Sequence, residues 1–203
     1  MKILIIGDSF AADWSVKYNQ YKGWPNLLAD TYDVTNLAQA GVSEYKIYKQ
    51  LDKVLWIGEY KLVIVSHTSP YRVPTRNHPI HHNDLLHNSA DLMLNDITYH
   101  SNKLYNFFNK SLRSASGFFK YHYDVEFYET TYKLYRKAIE DRLGITKFIS
   151  LNMFPNSEHK CTIDLSNLAT THTGKINHMS EEGNRLVYEK LLEEIKETYG
   201  SST

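Results

Sequence analysis

Two residues at opposite ends of the chain have the right types to work as a pair. Gly7-Asp8-Ser9-Phe10 puts a serine directly after an apolar run, and Asn177-His178-Met179-Ser180 puts a histidine just ahead of the closing segment. A serine hydroxyl becomes a useful nucleophile when a base removes its proton and N–H groups stabilise the oxyanion that forms. Histidine is the side chain whose ordinary pKa suits that base role near neutrality. Both segments also have plain readings, since Gly, Asp and Ser are ordinary turn residues and a histidine before a helix is commonly a surface group.

Other side chains compete for attention. His67 and Arg72 follow a buried-looking strand, and an arginine there can grip a carboxylate or phosphate with two N–H groups, although a solvated loop arginine is the commoner case. His78, His81 and His82 form a His-x-x-His-His cluster. No carboxylate or cysteine stands at a metal-ligand spacing from them, and Pro79 argues against a helix presenting them, so a polar loop is expected and no metal. Trp14, Tyr18, Tyr21 and Trp24 follow Ser9 closely and suit either a cleft wall or ordinary packing.

The elements that must position these groups alternate. Lys2–Ile6 is a continuous β-branched and aliphatic run, as expected of a parallel strand covered on both faces. Trp24–Tyr32 reads as a helix with Pro25 in its first turn, Val34–Ala38 as a second strand, and Glu44–Ile57 as a helix with Ile47, Leu51, Val54 and Leu55 on one face. Leu62–Val65 is a third strand, Glu126–Leu143 a helix ended by Gly144, Lys147–Leu151 a fourth strand, and Ser180 caps a last helix. Between them, about residues 72–123 read as an insertion with weak helical periodicity at Leu85–Leu94 and Leu104–Leu112. It is rich in aromatics: Tyr99, Tyr105, Phe107, Phe108, Phe118, Phe119, Tyr121 and Tyr123. These suit a lid, a surface for a second copy of the chain, or a small core of the insertion's own.

Alternating strands and helices imply an α/β fold, a three-layer α/β/α sandwich on a parallel sheet, with ligands at the carboxyl ends of the strands. Ser9, Gly41, Ser66–Ser69 and Asn152 all follow such ends. Against that frame, three blocks together resemble the SGNH/GDSL hydrolases. Gly7-Asp8-Ser9-Phe10 is similar to the block carrying the nucleophile, Asn36–Gly41 to the block whose glycine N–H joins the oxyanion hole, and Asn177–Asn184 to the block carrying the base. The resemblance implies a flavodoxin-like fold, with Ser9 as nucleophile, His178 as base, and the N–H groups of Ser9 and Gly41 in the oxyanion hole. Asp8 is implied to be a structural hydrogen-bonding residue, and Asp8, Phe10, His67 and Arg72 are candidate substrate contacts. The chain departs from the pattern twice. The family's oxyanion asparagine has no counterpart in Ser66-His67-Thr68-Ser69, which leaves Thr68 or Ser69 as hydroxyl donors. The family's orienting aspartate, three residues before the histidine, is Lys175 here, which leaves a dyad, a backbone carbonyl, or Asp164 as the candidate acid.

Length and composition bound the rest. The chain has 203 residues, with 23 basic and 23 acidic side chains and one cysteine, Cys161. One domain over 1–203 is expected, without disulfides, held by its own core. Balanced charge favours no nucleic-acid partner. No apolar run reaches about 18 residues, which argues against a membrane span, and no signal-peptide pattern opens the chain, so a cytoplasmic protein is expected. The expected activity is hydrolysis of an acyl or acetyl ester on a carbohydrate or other small alcohol, with no cofactor. The alternatives are a binding or assembly protein that kept the scaffold and an O-acyltransferase. A flavin or nucleotide site is disfavoured, because no Gly-rich phosphate loop is present.

Overall fold

In the computed structural model, which describes residues 1–103, 108–155 and 160–200, five parallel strands form the centre. They are β1 (Lys2–Gly7), β2 (Asp33–Asn36), β3 (Leu62–Ser66), β4 (Phe148–Asn152) and β5 (Ile163–Asp164), in the spatial order β2-β1-β3-β4-β5. That is the flavodoxin-like order, with its switch point beside β1. Ile3, Leu4, Ile5 and Ile6 are each fully buried, as are Leu62 to Val65. Strands this apolar on both sides need cover on both sides, which the helices supply.

On one face, Ile3, Ile5, Leu62, Ile64, Ile149 and Leu151 pack against Trp24 and Leu28 of α1 (Trp24–Ala29) and Val187, Leu191 and Ile195 of α7 (Glu181–Tyr199). On the other, Leu4, Ile6, Val63 and Val65 meet Ile47 of α2 (Glu44–Gln50) and Ile139 and Leu143 of α5 (Val125–Leu143). The three-layer expectation is met. Ser180 caps α7 by accepting from the Gly183 N–H, and Asp124 caps α5 by accepting from Phe127.

The segment after β3 carries α3 (Leu94–Ser101) and α4 (Lys110–Tyr121). Val73, Ile97, Leu112, Ala115 and Phe119 form a small core there, with Phe118, Tyr123 and Tyr128 against it. Part of the aromatic set is thus internal packing, while Tyr99, Phe108 and Tyr121 are exposed. Tyr105 and Phe107, and part of the Leu104–Leu112 periodicity, lie outside the described residues. After α5, β5 leads into α6 (Ser166–Thr171) and β6 (Thr173–Ile176), a strand outside the main sheet that folds back on Met179.

Two element expectations need correction, and one strand was not expected at all. The helix expected over Glu44–Ile57 ends at Gln50, a short 3-10 turn follows, and Val54 leaves it extended, which strands Leu55 in solvent. Leu85–Leu94 is not helical. The Asp84 carboxylate captures the Leu86 and His87 N–H groups, and Leu92 bridges Val73, so local side-chain bonding and a strand contact outcompete a helix. The short edge strand β5 gave no sequence signal. No helix among the described residues is long and apolar enough to cross a membrane.

Candidate active site

Ser9 sits where β1 ends at the switch point, and the loop around it is tied down carbonyl by carbonyl. The buried amide of Gln50 grips Gly7 twice, accepting from its N–H at 2.8 Å and donating to its carbonyl at 2.9 Å. Trp14 Nε1 donates to the Ser9 carbonyl at 2.8 Å, Trp24 Nε1 to that of Phe10 at 2.7 Å, Asn36 Nδ2 to that of Ala11 at 2.8 Å and Asn177 Nδ2 to that of Ala12 at 2.9 Å. Among the described residues, neither the Ser9 nor the Gly41 backbone N–H has a protein acceptor. Two such donors flanking a serine hydroxyl have the makings of an oxyanion hole.

Gly41 is held at φ +77°, and a Cβ there would stand 2.9 Å from Ala90 Cβ, so both backbone conformation and crowding require glycine. Its carbonyl accepts from Arg72 Nη1 at 3.1 Å and from the Asp91 N–H at 2.9 Å.

His178 arrives on the turn between β6 and α7. Asn177 and His178 both have positive φ, 51° and 59°, a conformation that costs on the order of 1–3 kcal/mol per residue outside glycine. Three anchors hold it. Asn177 is fully buried and reaches across to the nucleophile loop, the Tyr21 hydroxyl donates to the Met179 carbonyl at 2.6 Å, and the Gly174 N–H donates to the His178 carbonyl at 3.1 Å. The imidazole packs against Phe10 and Trp14, with ring centroids 4.8 Å and 5.5 Å away.

These groups share a pocket of about 190 Å³ lined by Ser9, Gly41, Arg72 and His178 and, from the segment after β3, by His81, His87, Ala90, Asp91, Met93 and Asp96. The structure thus brings Ser9, Gly41 and His178 together. Arg72 joins them, half-buried rather than solvated, with Nε donating to Thr68 Oγ1 at 3.0 Å.

Other candidates stand elsewhere. Thr68 is absent from the pocket lining and spends its hydroxyl oxygen on Arg72, and Ser69 faces a different hollow with Tyr128 and Tyr132 and accepts from the Tyr71 N–H. His67 is no substrate contact: it is buried, with Nδ1 2.7 Å from Glu44 Oε1. Asp8 is fully buried and accepts from the Phe10 N–H at 3.0 Å, and Phe10 backs the imidazole rather than lining the pocket. Asp164 does not orient His178. It is exposed and accepts from Ser166 N–H and Asn152 Nδ2, starting α6. Lys175 is exposed too. Among the described residues, no carboxylate bonds to the His178 ring; hydrophobic faces and a strained backbone hold it instead.

Desolvation sets the electrostatics, at an exposed His178 through the packing of Phe10 and Trp14 on its ring and at Asp8 through full burial. It lowers His178 to about 4, helped by the Arg72 cation and His87, so the imidazole is neutral at pH 7 with a lone pair free to accept a proton. Burial also raises Asp8 to about 7, against the pull of Arg72 and the Phe10 N–H. Arg72 is therefore only partly neutralised by its acidic neighbour and keeps positive charge beside Ser9.

Residues that sequence reasoning missed come mainly from the segment after β3. His87 lines the pocket with Nδ1 3.1 Å from Asp84 Oδ1. His81 and Asp96 line it too, although they are 15 apart in the chain. The His78–His81 spacing was visible; the carboxylate partner was not, because α3 delivers it. Asn177 was visible beside His178, but nothing local indicated that it would reach the Ser9 loop.

No family model and no curated protein matches the chain. Among solved structures, it is similar to a psychrotrophic esterase, EstA, from Pseudoalteromonas sp. (15% identity, 97% of each chain, TM-score 0.43). It is similar also to a lipase/acylhydrolase from Enterococcus faecalis (12% identity, 97% of this chain and 96% of that one, TM-score 0.41). A lipolytic protein of the G-D-S-L family from Desulfitobacterium hafniense matches at 14% identity, over 94% of this chain and 97% of that one, with a TM-score of 0.39. At this distance the likenesses are of chain path and assign no activity.

Proposed function

We propose that this chain is a serine esterase of the SGNH/GDSL type, acting on short acyl esters of small alcohols or carbohydrates. The observation that carries the reading is the convergence of Ser9, two backbone N–H groups without protein acceptors, and a neutral imidazole on one small pocket. Ser9 Oγ attacks the ester carbonyl as its proton passes to His178, the oxyanion is held by the N–H groups of Ser9 and Gly41, and His178 returns the proton to the leaving alcohol. Water then repeats the sequence on the acyl-enzyme.

Arg72 takes the place that a neutral asparagine donor would fill. Pinned by Thr68 and the Gly41 carbonyl, it brings a cation to the pocket wall, and a developing negative charge in a water-poor site gains more from a cation than from a hydroxyl. The pocket is small and polar on the side of His81, His87 and Asp96, which suits a short acyl group and a hydroxylated leaving group better than a long hydrocarbon chain.

The test is covalent labelling by a fluorophosphonate probe, with turnover of short-chain p-nitrophenyl esters alongside. Wild-type protein should label at Ser9 and turn over, Ser9→Ala should do neither, and His178→Ala should lose turnover. A wild-type protein that does not label, or a Ser9→Ala variant that retains turnover, removes the esterase reading.

A further inference from the structure

The wall of the pocket facing Ser9 contains a cluster that ester hydrolysis does not use. His78 and His81 come from the turn after Thr75, and Asp96 and His100 from successive turns of α3. One ligand atom from each of His78, His81 and Asp96 lies within 4.8 Å of the other two. His78 Nε2 stands 3.3 Å and His81 Nε2 3.2 Å from the same oxygen, Asp96 Oδ2, and His100 Nε2 stands 3.4 Å from Oδ1.

These separations discriminate between two arrangements. A charge-assisted N–H···O bond to a carboxylate closes to about 2.7–2.9 Å. Nitrogen and oxygen ligands at about 2.0–2.1 Å from a common tetrahedral centre stand roughly 3.3 Å from each other. The His78 and His81 distances to Asp96 match the second spacing, and the His81 contact is also a long hydrogen bond. In addition, His78 is 2% exposed and its Nε2, facing Asp96, makes no hydrogen bond.

We propose that His78, His81 and Asp96 form a binding site for a divalent transition-metal ion of the zinc type, built into the wall of the Ser9 pocket. Two imidazoles and one carboxylate match the preferences of such ions, and a hard cation such as magnesium or calcium is disfavoured by the two nitrogens. Three protein ligands leave a fourth position, and because His81 and Asp96 themselves line the pocket, that position opens towards the substrate. His100 holds the second carboxylate oxygen and so fixes the orientation of Asp96. His78 is the weaker ligand. Its Nδ1 accepts from the Ile80 and His81 N–H groups at 3.2 Å each, so binding through Nε2 moves the ring proton to Nδ1 and gives up both bonds. The site does not depend on Ser9 being a nucleophile.

Chelator-treated full-length protein titrated with zinc chloride in a calorimeter tests this. Wild-type protein should take up one equivalent, and Asp96→Asn and His81→Gln should each weaken binding by about tenfold or more, with His78→Ala losing less. His82→Ala, which removes an exposed histidine next to the cluster, should bind as wild type does. Thermal melts with and without zinc report folding of every variant, and Tm should rise with zinc most in wild type and His82→Ala and least in Asp96→Asn and His81→Gln. Cobalt(II) should give the intense visible bands of a four-coordinate ion in wild type and lose them in Asp96→Asn. Zinc binding by wild type no tighter than by Asp96→Asn and His81→Gln, or binding removed by His82→Ala, overturns the proposal.

Discussion

Asp8→Asn isolates the charge balance behind the nucleophile. The Asp8 carboxyl is fully buried, one oxygen accepts from Phe10, and the other has no hydrogen-bond partner. Burial moves it from 3.8 to about 7. Between those values the unfolded chain has lost this proton while the folded chain retains it, so stability falls as pH rises through the window. The difference, at roughly 1.4 kcal/mol per pH unit, comes to about 4 kcal/mol. His178 acts oppositely. Its folded value of about 4 lies below 6.5, so its contribution is complete above 6.5 and is lost as pH falls towards 4, and because the side chain is exposed, solvent screening keeps it small. Asparagine keeps the oxygen that accepts from Phe10 and cannot ionise. Urea denaturation of wild type and Asp8→Asn at intervals from pH 4 to 8 should therefore give a stability difference that shifts in favour of the variant by about 4 kcal/mol, most of it below pH 7. Taking the difference removes every titration common to both proteins. Parallel curves across that range would show that Asp8 titrates as an ordinary exposed carboxyl and would refute the reasoning.

Two further outcomes concern catalysis. Gly41→Ala forces a Cβ to within 2.9 Å of Ala90 Cβ at a backbone φ of +77°, which displaces one oxyanion donor, so kcat on p-nitrophenyl acetate should fall by about 10²–10³ with a folded protein; a loss under about threefold would take Gly41 out of the oxyanion hole. Because His178 must be neutral to accept the Ser9 proton and its pKa is held near 4, the acid limb of kcat/KM should have its midpoint near pH 4. A midpoint near the ordinary histidine value would show that His178 is not the base, or that solvent at its exposed ring keeps its pKa ordinary.

What was legible in the sequence was whatever local pattern enforces. A run such as Ile3–Ile6 has no solvent-compatible face, so it must be a central strand, and the turn after it must lie at the sheet's ligand-binding edge. Gly41 was legible through the resemblance of Asn36–Gly41 to a family block, and its φ of +77° explains why glycine stands there. Ser180 was legible because a cap is a bond between residues three apart. These features depend on neighbours along the chain, and sequence displays neighbours directly.

What only the tertiary structure decided was which distant groups meet. The orienting acid sought at Asp164 is instead the start of α6, and His178 is held by Phe10, Trp14, Tyr21 and the buried reach of Asn177. Arg72 became a pocket cation because Thr68 and the Gly41 carbonyl capture its N–H groups. His78 and His81 lacked a carboxylate along the chain and acquired Asp96 through the packing of α3. Each of these depends on the relative placement of separate elements, set by the burial of apolar faces far from the site. Those faces carry no information about the polar residues they bring together.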